Sequence, residues 1–211
     1  MVTAIIVGYN HWGDYTFPLL QSAKRTNPDM KLVCVDNASA EPYPNMAGVK
    51  IIRSSKQLGL AGGLNLGLQS VDSDWYVCLN QDVPIHKPIA KRIEGLKPDG
   101  IYGFYMRPDI EDAFTLGGWS YLSNWCLFLP RKVWLDVGDW DEKCFPMYWE
   151  DADYSKRVVD AGYKLHLLDR NEWGVEHLMV EAKKQYRRDY ARDKATEIDI
   201  LRAYVRAKHG L

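Results

Sequence analysis

YVCLNQDVPI (residues 76–85) begins as a strand and ends as something else. Tyr76, Val77, Cys78 and Leu79 are residue types that suit a strand covered on both faces. Asn80, Gln81 and Asp82 then arrive together, and Pro84, which has no amide hydrogen for the ladder, bars a central strand from continuing. Either the polar cluster is simply where the chain turns, or it belongs to a site. The rest of the sequence is needed to choose.

Similar apolar runs occur at residues 4–7, 32–35 and 49–52, with another at 75–79, and helical candidates at 14–26 and 60–70 lie between them. Strands alternating with helices at this spacing predict a parallel sheet with right-handed crossovers. The second half is less regular. It offers a strand at 125–130, a helix at 150–161 ended by Gly162, a strand at 163–168 and a long polar helix at 180–208. There are no repeats and no linker-like tract, so residues 1–211 read as one α/β domain.

Three strand ends repay comparison. IIVGYN finishes in Tyr9 and Asn10, VCVDNAS in Asp36, Asn37 and Ser39, and VCLNQD in Asn80 and Asp82. In an open α/β sheet the carboxyl ends of parallel strands form the edge where ligands bind. Three such endings describe a cleft lined by two acids and several amides.

Composition narrows the class. Hydrophobic residues make up 46% of the 211-residue chain, and the formal net charge is -1. No global field draws the chain to nucleic acid, and no sequence-specific binding to it is expected. Eight Trp and thirteen Tyr are abundant, and aromatic side chains either fill cores or floor sugar-binding clefts. Cys34, Cys78, Cys126 and Cys144 show neither a CxxC pair nor metal spacing. Reduced buried thiols and a cytoplasmic location are expected. The chain enters a strand almost at once, with no basic leader and no apolar run long enough to span a membrane.

The segments IIVGYN, VCVDNAS, LGLAGGLNLG, LNQDV, VGDWDEKCFPMYWEDADYSKRVVDAGY and WGVEH stand in an order that resembles glycosyltransferase family 2, the inverting GT-A enzymes, most closely its rhamnosyltransferase-like members. The resemblance covers residues 2–177. It implies a GT-A fold, Rossmann-like as in nucleotide-diphospho-sugar transferases, with a mostly parallel central sheet and a C-terminal helix. Residues 1–85 would be the nucleotide-binding half, 86–178 the acceptor and catalytic half, and 179–211 a helical tail. It also implies a donor linked to UDP, dTDP or GDP, a Mn²⁺ or Mg²⁺ ion, and a glycan, lipid-linked or other hydroxyl acceptor.

Residue by residue, LNQDV looks like the family's variant of a DxD motif, which gives Asp82 the metal. Such ions take carboxylate oxygen and keep only one or two protein ligands. Asn80 replaces the first Asp and suits a ribose contact, with Gln81 beside it. His177 in WGVEH stands where the family often places a second metal ligand, although a lone His is more often structural. The family's nucleotide-recognising Asp is Asp36, with Gly8, Tyr9, Asn10 and Asn37 alongside. An Asx-turn at Asp36 or Asn37 would explain those residues equally.

GLAGGLNLG lacks the spacing of a dinucleotide fingerprint. Its glycines permit close approach either to a nucleotide or to the sheet, and Asn65 is its polar member in donor-contact position.

WEDADYSKRVVDAG supplies the catalytic pair. In the family the Asp of this Glu-Asp pair is the general base, here Asp151, with Glu150 the alternative or an acceptor-orienting group. On a helical wheel Asp151 extends an apolar stripe through Tyr154, Val158 and Ala161, while Asp153 falls on another side with Arg157 and Asp160. Acids in a first turn also suit the helix dipole without any catalysis. Trp119, Trp125 and Trp149 are candidate acceptor-stacking residues, with core packing the competing role.

The tail from 181 to 209 carries nine basic and five acidic residues, and Tyr190, Ile198, Leu201 and Val205 approximate one face. That face fits docking on the domain or, alternatively, weak peripheral contact with the inner face of a membrane. The short chain favours transfer of one sugar over processive polymerisation. A sugar nucleotidyltransferase would want a basic glycine loop after the first strand, and residues 8–14 contain no Lys or Arg. A non-catalytic nucleotide- or carbohydrate-binding module would keep the same motifs.

Overall fold

The computed structural model describes residues 1–107, 120–144, 148–178 and 194–210. The sheet strands are β1 (Val2–Gly8), β2 (Lys31–Asp36), β3 (Val49–Arg53), β4 (Trp75–Asn80), β5 (Gly100–Gly103), β8 (Cys126–Pro130) and β9 (Lys164–Leu167). A small ribbon pairs β6 (Met106–Arg107) with β7 (Tyr121–Leu122). The helices are α1 (Phe17–Thr26), α2 (Gly59–Gln69), α3 (Ala90–Glu94), α4 (Arg131–Val137), α5 (Glu150–Asp160), α6 (Arg170–Trp173) and α7 (Lys194–Lys208).

Every strand expected from the sequence forms, and so do the helices near 14–26, 60–70 and 150–161. The first of these opens with an irregular turn of π-helix at Trp12–Thr16 before α1. Of the long tail helix, Lys194–Lys208 is helical, and the stretch from 180 to 193 lies outside the described residues.

The seven strands run in the order β3-β2-β1-β4-β8-β5-β9. Pairings among β3, β2, β1 and β4 are parallel, as is β5 with β9, while β8 runs antiparallel to both neighbours. Alternation along β1 shows how the sheet is covered. Ala4 and Ile6 enter one buried apolar cluster with Leu19, Leu20 and Phe128, whereas Ile5 and Val7 enter the other with Leu64, Leu68 and Tyr154. A strand covered on both faces reads as a nearly continuous apolar run, and all seven residues of β1 are buried, Thr3 the polar one among them. Each large side chain so placed contributes roughly 1.5–3 kcal/mol.

The glycines of α2 approach the sheet. A Cβ on Gly63 would lie 2.6 Å from Val7 Cγ1, and one on Gly67 would lie 2.3 Å from Ile5 Cγ2. Of the two uses open to this stretch, close packing of helix on strand is the one these residues serve.

Strand order reverses direction between β1 and β4, because the chain builds outward through β2 and β3 and then returns to the far side of β1. Such a switch point opens a crevice beyond the strand ends. Register puts Gly8 opposite Asp36 and Val7 opposite Asn80, so the three polar tips share that edge.

Two residues of the expected apolar face of α7 are covered. Leu201 is 7% exposed and Val205 is fully buried, in a cluster with Tyr121, Cys144, Trp149 and Ala152. Leu201 and Val205 thus serve docking on the domain, while Tyr190 lies outside the described residues. Among the described residues no helix is long and apolar enough to cross a membrane. All four cysteines are buried free thiols, as expected, and burial pushes their pKa values up, that of Cys34 to about 12.

The tight α2–β1 contact is directly testable. Gly67→Val must displace Ile5 or the helix, and should destabilise the fold by about 1–3 kcal/mol. Urea unfolding measures this; an unchanged midpoint would mean that α2 is free to move off β1.

Candidate active site

Backbone pairing beyond the sheet brings two distant segments together at the switch point. Residues 82–86 lie against 174–178 as a short antiparallel ribbon, with a bridge between Ile85 and Val175. The His86 amide donates to the Gly174 carbonyl (2.8 Å) and the Leu178 amide to the Asp82 carbonyl (3.1 Å). Trp173 anchors the second segment, buried against Phe104 and Phe128 and covered by the Arg92 guanidinium at 4.0 Å. This ribbon sets His177 beside Asp82, with Nε2 3.5 Å from Oδ1.

The pair suits a divalent cation. Asp82 is 6% exposed, and among the described residues its carboxylate has no polar partner besides His177. The imidazole is oriented by Trp125, which stacks on it at 5.0 Å with the planes 10° apart. Among the described residues no cluster of three or more metal-binding side chains exists. A carboxylate and an imidazole are two ligands, the number that Mn²⁺ or Mg²⁺ takes when phosphate oxygens and water complete its shell. Asn80, half-buried at the end of β4, donates its amide to the Trp125 carbonyl (3.0 Å). Its carboxamide has no partner among the described residues.

The β1–β2 side of the cleft, where the resemblance would place the nucleotide, is more committed internally than the sequence implied. Asp36 is fully buried; its oxygens accept from the Ser39 amide (3.0 Å), the Tyr43 amide (3.0 Å) and Arg53 Nη1 (2.5 Å). Burial works to raise its pKa, but the bonds from Ser39, Tyr43 and Arg53 outweigh it and hold the carboxyl below its ordinary range. The Asx-turn is therefore present. Asn37 accepts from the Leu58 amide (2.9 Å) and donates to the Gly59 carbonyl (2.9 Å), joining β2 to the start of α2.

Gln81 fastens β4 to β1. Its Oε1 accepts from the Tyr9 amide (2.8 Å) and the Thr16 hydroxyl (3.1 Å), and its Nε2 donates to the Tyr9 carbonyl (3.1 Å). Asn10 and His11 both adopt left-handed backbone conformations (φ 52° and 49°) at the end of β1. Asn10 is held by the Ser39 hydroxyl, the Ala40 amide and the Tyr43 hydroxyl, which donates to its carbonyl at 2.6 Å. Strain of this kind persists only where surroundings over-determine it. Tyr43 also explains Gly8, because a Cβ there would lie 2.7 Å from the Tyr43 hydroxyl oxygen.

Three expectations are revised by geometry. Asn65 binds the protein rather than an open cleft: its Oδ1 accepts from the Trp140 amide (2.9 Å), and its Nδ2 donates to the Trp140 carbonyl and Glu142 (3.0 Å each). Trp125 is 8% exposed and turns its face to His177, which leaves that face no room for a sugar. Trp149, 4% exposed, is buried in the cluster beneath α7, and Trp119 lies outside the described residues.

Helix α5 is rotated relative to the expected stripe. Tyr154 and Val158 are buried as anticipated, but Asp153 is fully buried too, while Asp151 is half-buried and Ala161 exposed. Trp140 causes the rotation by stacking flat on Tyr154 (3.8 Å, 4°), and Arg157 pairs with Asp153 at 2.9 Å. Half-buried Asp151 is thus the least covered acid of the first turn, beside the buried Glu150. The Leu122 amide donates to Ser155 Oγ (3.2 Å), tying α5 to the strand that leads to Trp125. Tyr43, Arg53 and Glu142, which brace the site, lie in loops or at a strand end; no periodicity or motif marks Tyr43 and Arg53, and Glu142 falls within the VGDWDE segment without being singled out by it.

No curated protein matches the sequence. Solved structures do match the fold. A mannosyltransferase from Pyrobaculum calidifontis, in complex with GDP-Man and Mn²⁺, superposes with a TM-score of 0.61 at 15% identity, over 80% of this chain and 54% of its own. S. aureus TarS 1-349 in complex with UDP gives 0.59 at 16% identity, over 80% and 57%. GalNAc-T7 with UDP, GalNAc and Mn²⁺ gives 0.62 at 13% identity, over 78% and 41%. The chain therefore spans about half the length of these proteins, and at such identities the likeness is one of fold, the GT-A architecture. The family model "Glycosyl transferase family 2" matches residues 3–139, which hold the polar tips of β1, β2 and β4 together with the glycine helix α2. With most of its length accounted for in this way, the chain belongs to glycosyl transferase family 2.

Proposed function

We propose that this chain is an inverting, metal-dependent glycosyltransferase that moves one sugar from a nucleotide-diphosphate donor to an acceptor hydroxyl. The observation that carries the reading is the Asp82–His177 pair, 3.5 Å apart at the switch point of the sheet. Family membership and the nucleotide and Mn²⁺ complexes of the similar structures support it.

Asp82 and His177 would hold Mn²⁺ or Mg²⁺, with Trp125 fixing the imidazole plane. When bound, such an ion acts as a Lewis acid toward the departing diphosphate. The donor, linked to UDP, dTDP or GDP, would lie across the ends of β1 and β4. Asn80 presents its carboxamide to a ribose hydroxyl, and Asp36 acts by holding the loop from Ser39 to Tyr43 that borders the base.

Asp151 is the general base. As the acceptor oxygen bonds to the anomeric carbon, its proton passes to the Asp151 carboxylate. The bond from that carbon to the diphosphate oxygen breaks on the opposite face, and the electron pair leaves with the diphosphate. Inversion follows from this geometry. Glu150, buried beside it, orients the acceptor.

Two substitutions separate these roles. Asp82→Ala should weaken Mn²⁺-dependent nucleotide binding by about tenfold or more, the scale of losing one metal ligand's support; calorimetry with and without Mn²⁺ measures it, and equal affinity would count against the metal assignment. Asp151→Asn should leave that binding unchanged while transfer falls by about 10²–10⁴-fold. Near-wild-type turnover in this variant would remove Asp151 from the base role.

A further inference from the structure

Asp153 is the most buried acid of the α5 first turn and has no part in the chemistry above. Its carboxylate is fully enclosed and surrounded by three basic side chains: Arg157 Nε at 2.9 Å on one oxygen, with Lys208 Nζ at 2.7 Å and His209 Nε2 at 2.9 Å on the other. Arg157 belongs to α5 itself, but Lys208 and His209 arrive from the far end of the chain. Lys208 reaches a second acid as well, Asp141 Oδ2 at 2.7 Å, and the Tyr204 hydroxyl donates to the same oxygen at 2.6 Å. Burial works to raise the Asp141 pKa, yet the bonds from Lys208 and Tyr204 outweigh it and bring it down to about 2.

Asp141 lies in the turn whose Trp140 stacks on Tyr154 and bonds to Asn65. Lys208 therefore links α5, the turn after α4 and, through Asn65, the helix α2. Beside this polar knot, Leu201 and Val205 pack with Trp149 and Ala152. Trp149 and Tyr148 occupy successive positive-φ conformations (68° and 88°) immediately before the helix. A non-glycine pair of that kind is strained and needs its surroundings to hold it. Buried ion pairs contribute little net stability compared with apolar packing, and their best-attested use is to fix register.

We propose that α7 is a fastener for the catalytic helix, in which Lys208 and His209 act on Asp153 as positioning residues that set where Glu150 and Asp151 stand. The catalytic half of this inference rests on Asp151 being the base; the fastening half does not.

The test uses the full chain carrying Lys208→Met and His209→Gln together, which removes both basic groups and keeps Leu201, Val205 and Arg157. Hydrogen exchange at amides 150–154 should quicken by about tenfold while amides of β1 and β4 are unaffected, as a local opening predicts. With donor and Mn²⁺, kcat should fall by about 10²-fold, the scale of a small misplacement of a catalytic group. Nucleotide affinity should stay within about twofold, and Lys208→Arg alone should keep most of kcat.

Unchanged exchange at 150–154, or quickening spread equally over β1 and β4, would overturn the fastening role. Quickened exchange with an unchanged kcat would overturn the positioning role. A wild-type protein that transfers no sugar from any donor would instead defeat the glycosyltransferase reading, and the exchange result would still decide whether α7 holds α5.

Discussion

Parallel pairing of β1 with β2 and β4 is the constraint on which the site depends. Strands that run the same way end on the same edge, so whatever polar groups finish them are gathered without any loop having to carry them there. Gly8 stands opposite Asp36, and Val7 opposite Asn80, so the residues just beyond meet across the crevice where strand order reverses. Most of those groups then bind one another. Gln81 clasps the Tyr9 backbone, and Asp36 gathers Ser39, Tyr43 and Arg53. A buried polar edge would be costly if unsatisfied, and satisfying it internally gives a stiff rim. Asn80 and Asp82 stand apart from this: among the described residues the Asn80 carboxamide has no partner, and the Asp82 carboxylate meets only His177.

The antiparallel ribbon between residues 82–86 and 174–178 has the complementary task. Its backbone bonds fix the relative position of Asp82 and His177, and the buried Val83, Ile85 and Val175, with Trp173 beside them, hold it to the core. Trp125 joins the two tasks, since its carbonyl caps β4 through the Asn80 amide and its ring fixes the His177 plane. Helix α5 is positioned by different means. Trp140 stacked on Tyr154 sets its rotation, and a knot of buried charge from α7 sets its register.

Much of this was legible in the chain itself. Continuous apolar runs announced the strands, the Asn and Asp residues at their ends announced the cleft, and motif order announced the family. β5 escaped because GIYG is four residues long with glycine at both ends, too short and too plain to give a signal. The bracing residues Tyr43 and Arg53 escaped for another reason: they act through contacts with residues elsewhere in the chain, and nothing beside them records those partners; Glu142 lay in a quoted motif, but its bond to Asn65 was not legible there.

Sequence by itself determined the local properties of the chain: which stretches are apolar enough to be strands, where proline and polar residues end them, and which side chains have metal- or proton-binding chemistry. Tertiary structure alone decided how each candidate is used. Asn65 and Trp125 have the right chemistry to meet a sugar nucleotide, but packing directs one to Trp140 and the other to His177. Asp151 and Asp153 are the same residue type two positions apart, and only the stacking of Trp140 and the docking of α7 bury one fully and leave the other half-buried. A side chain's chemistry is intrinsic to it, whereas its partners are set by the rest of the molecule.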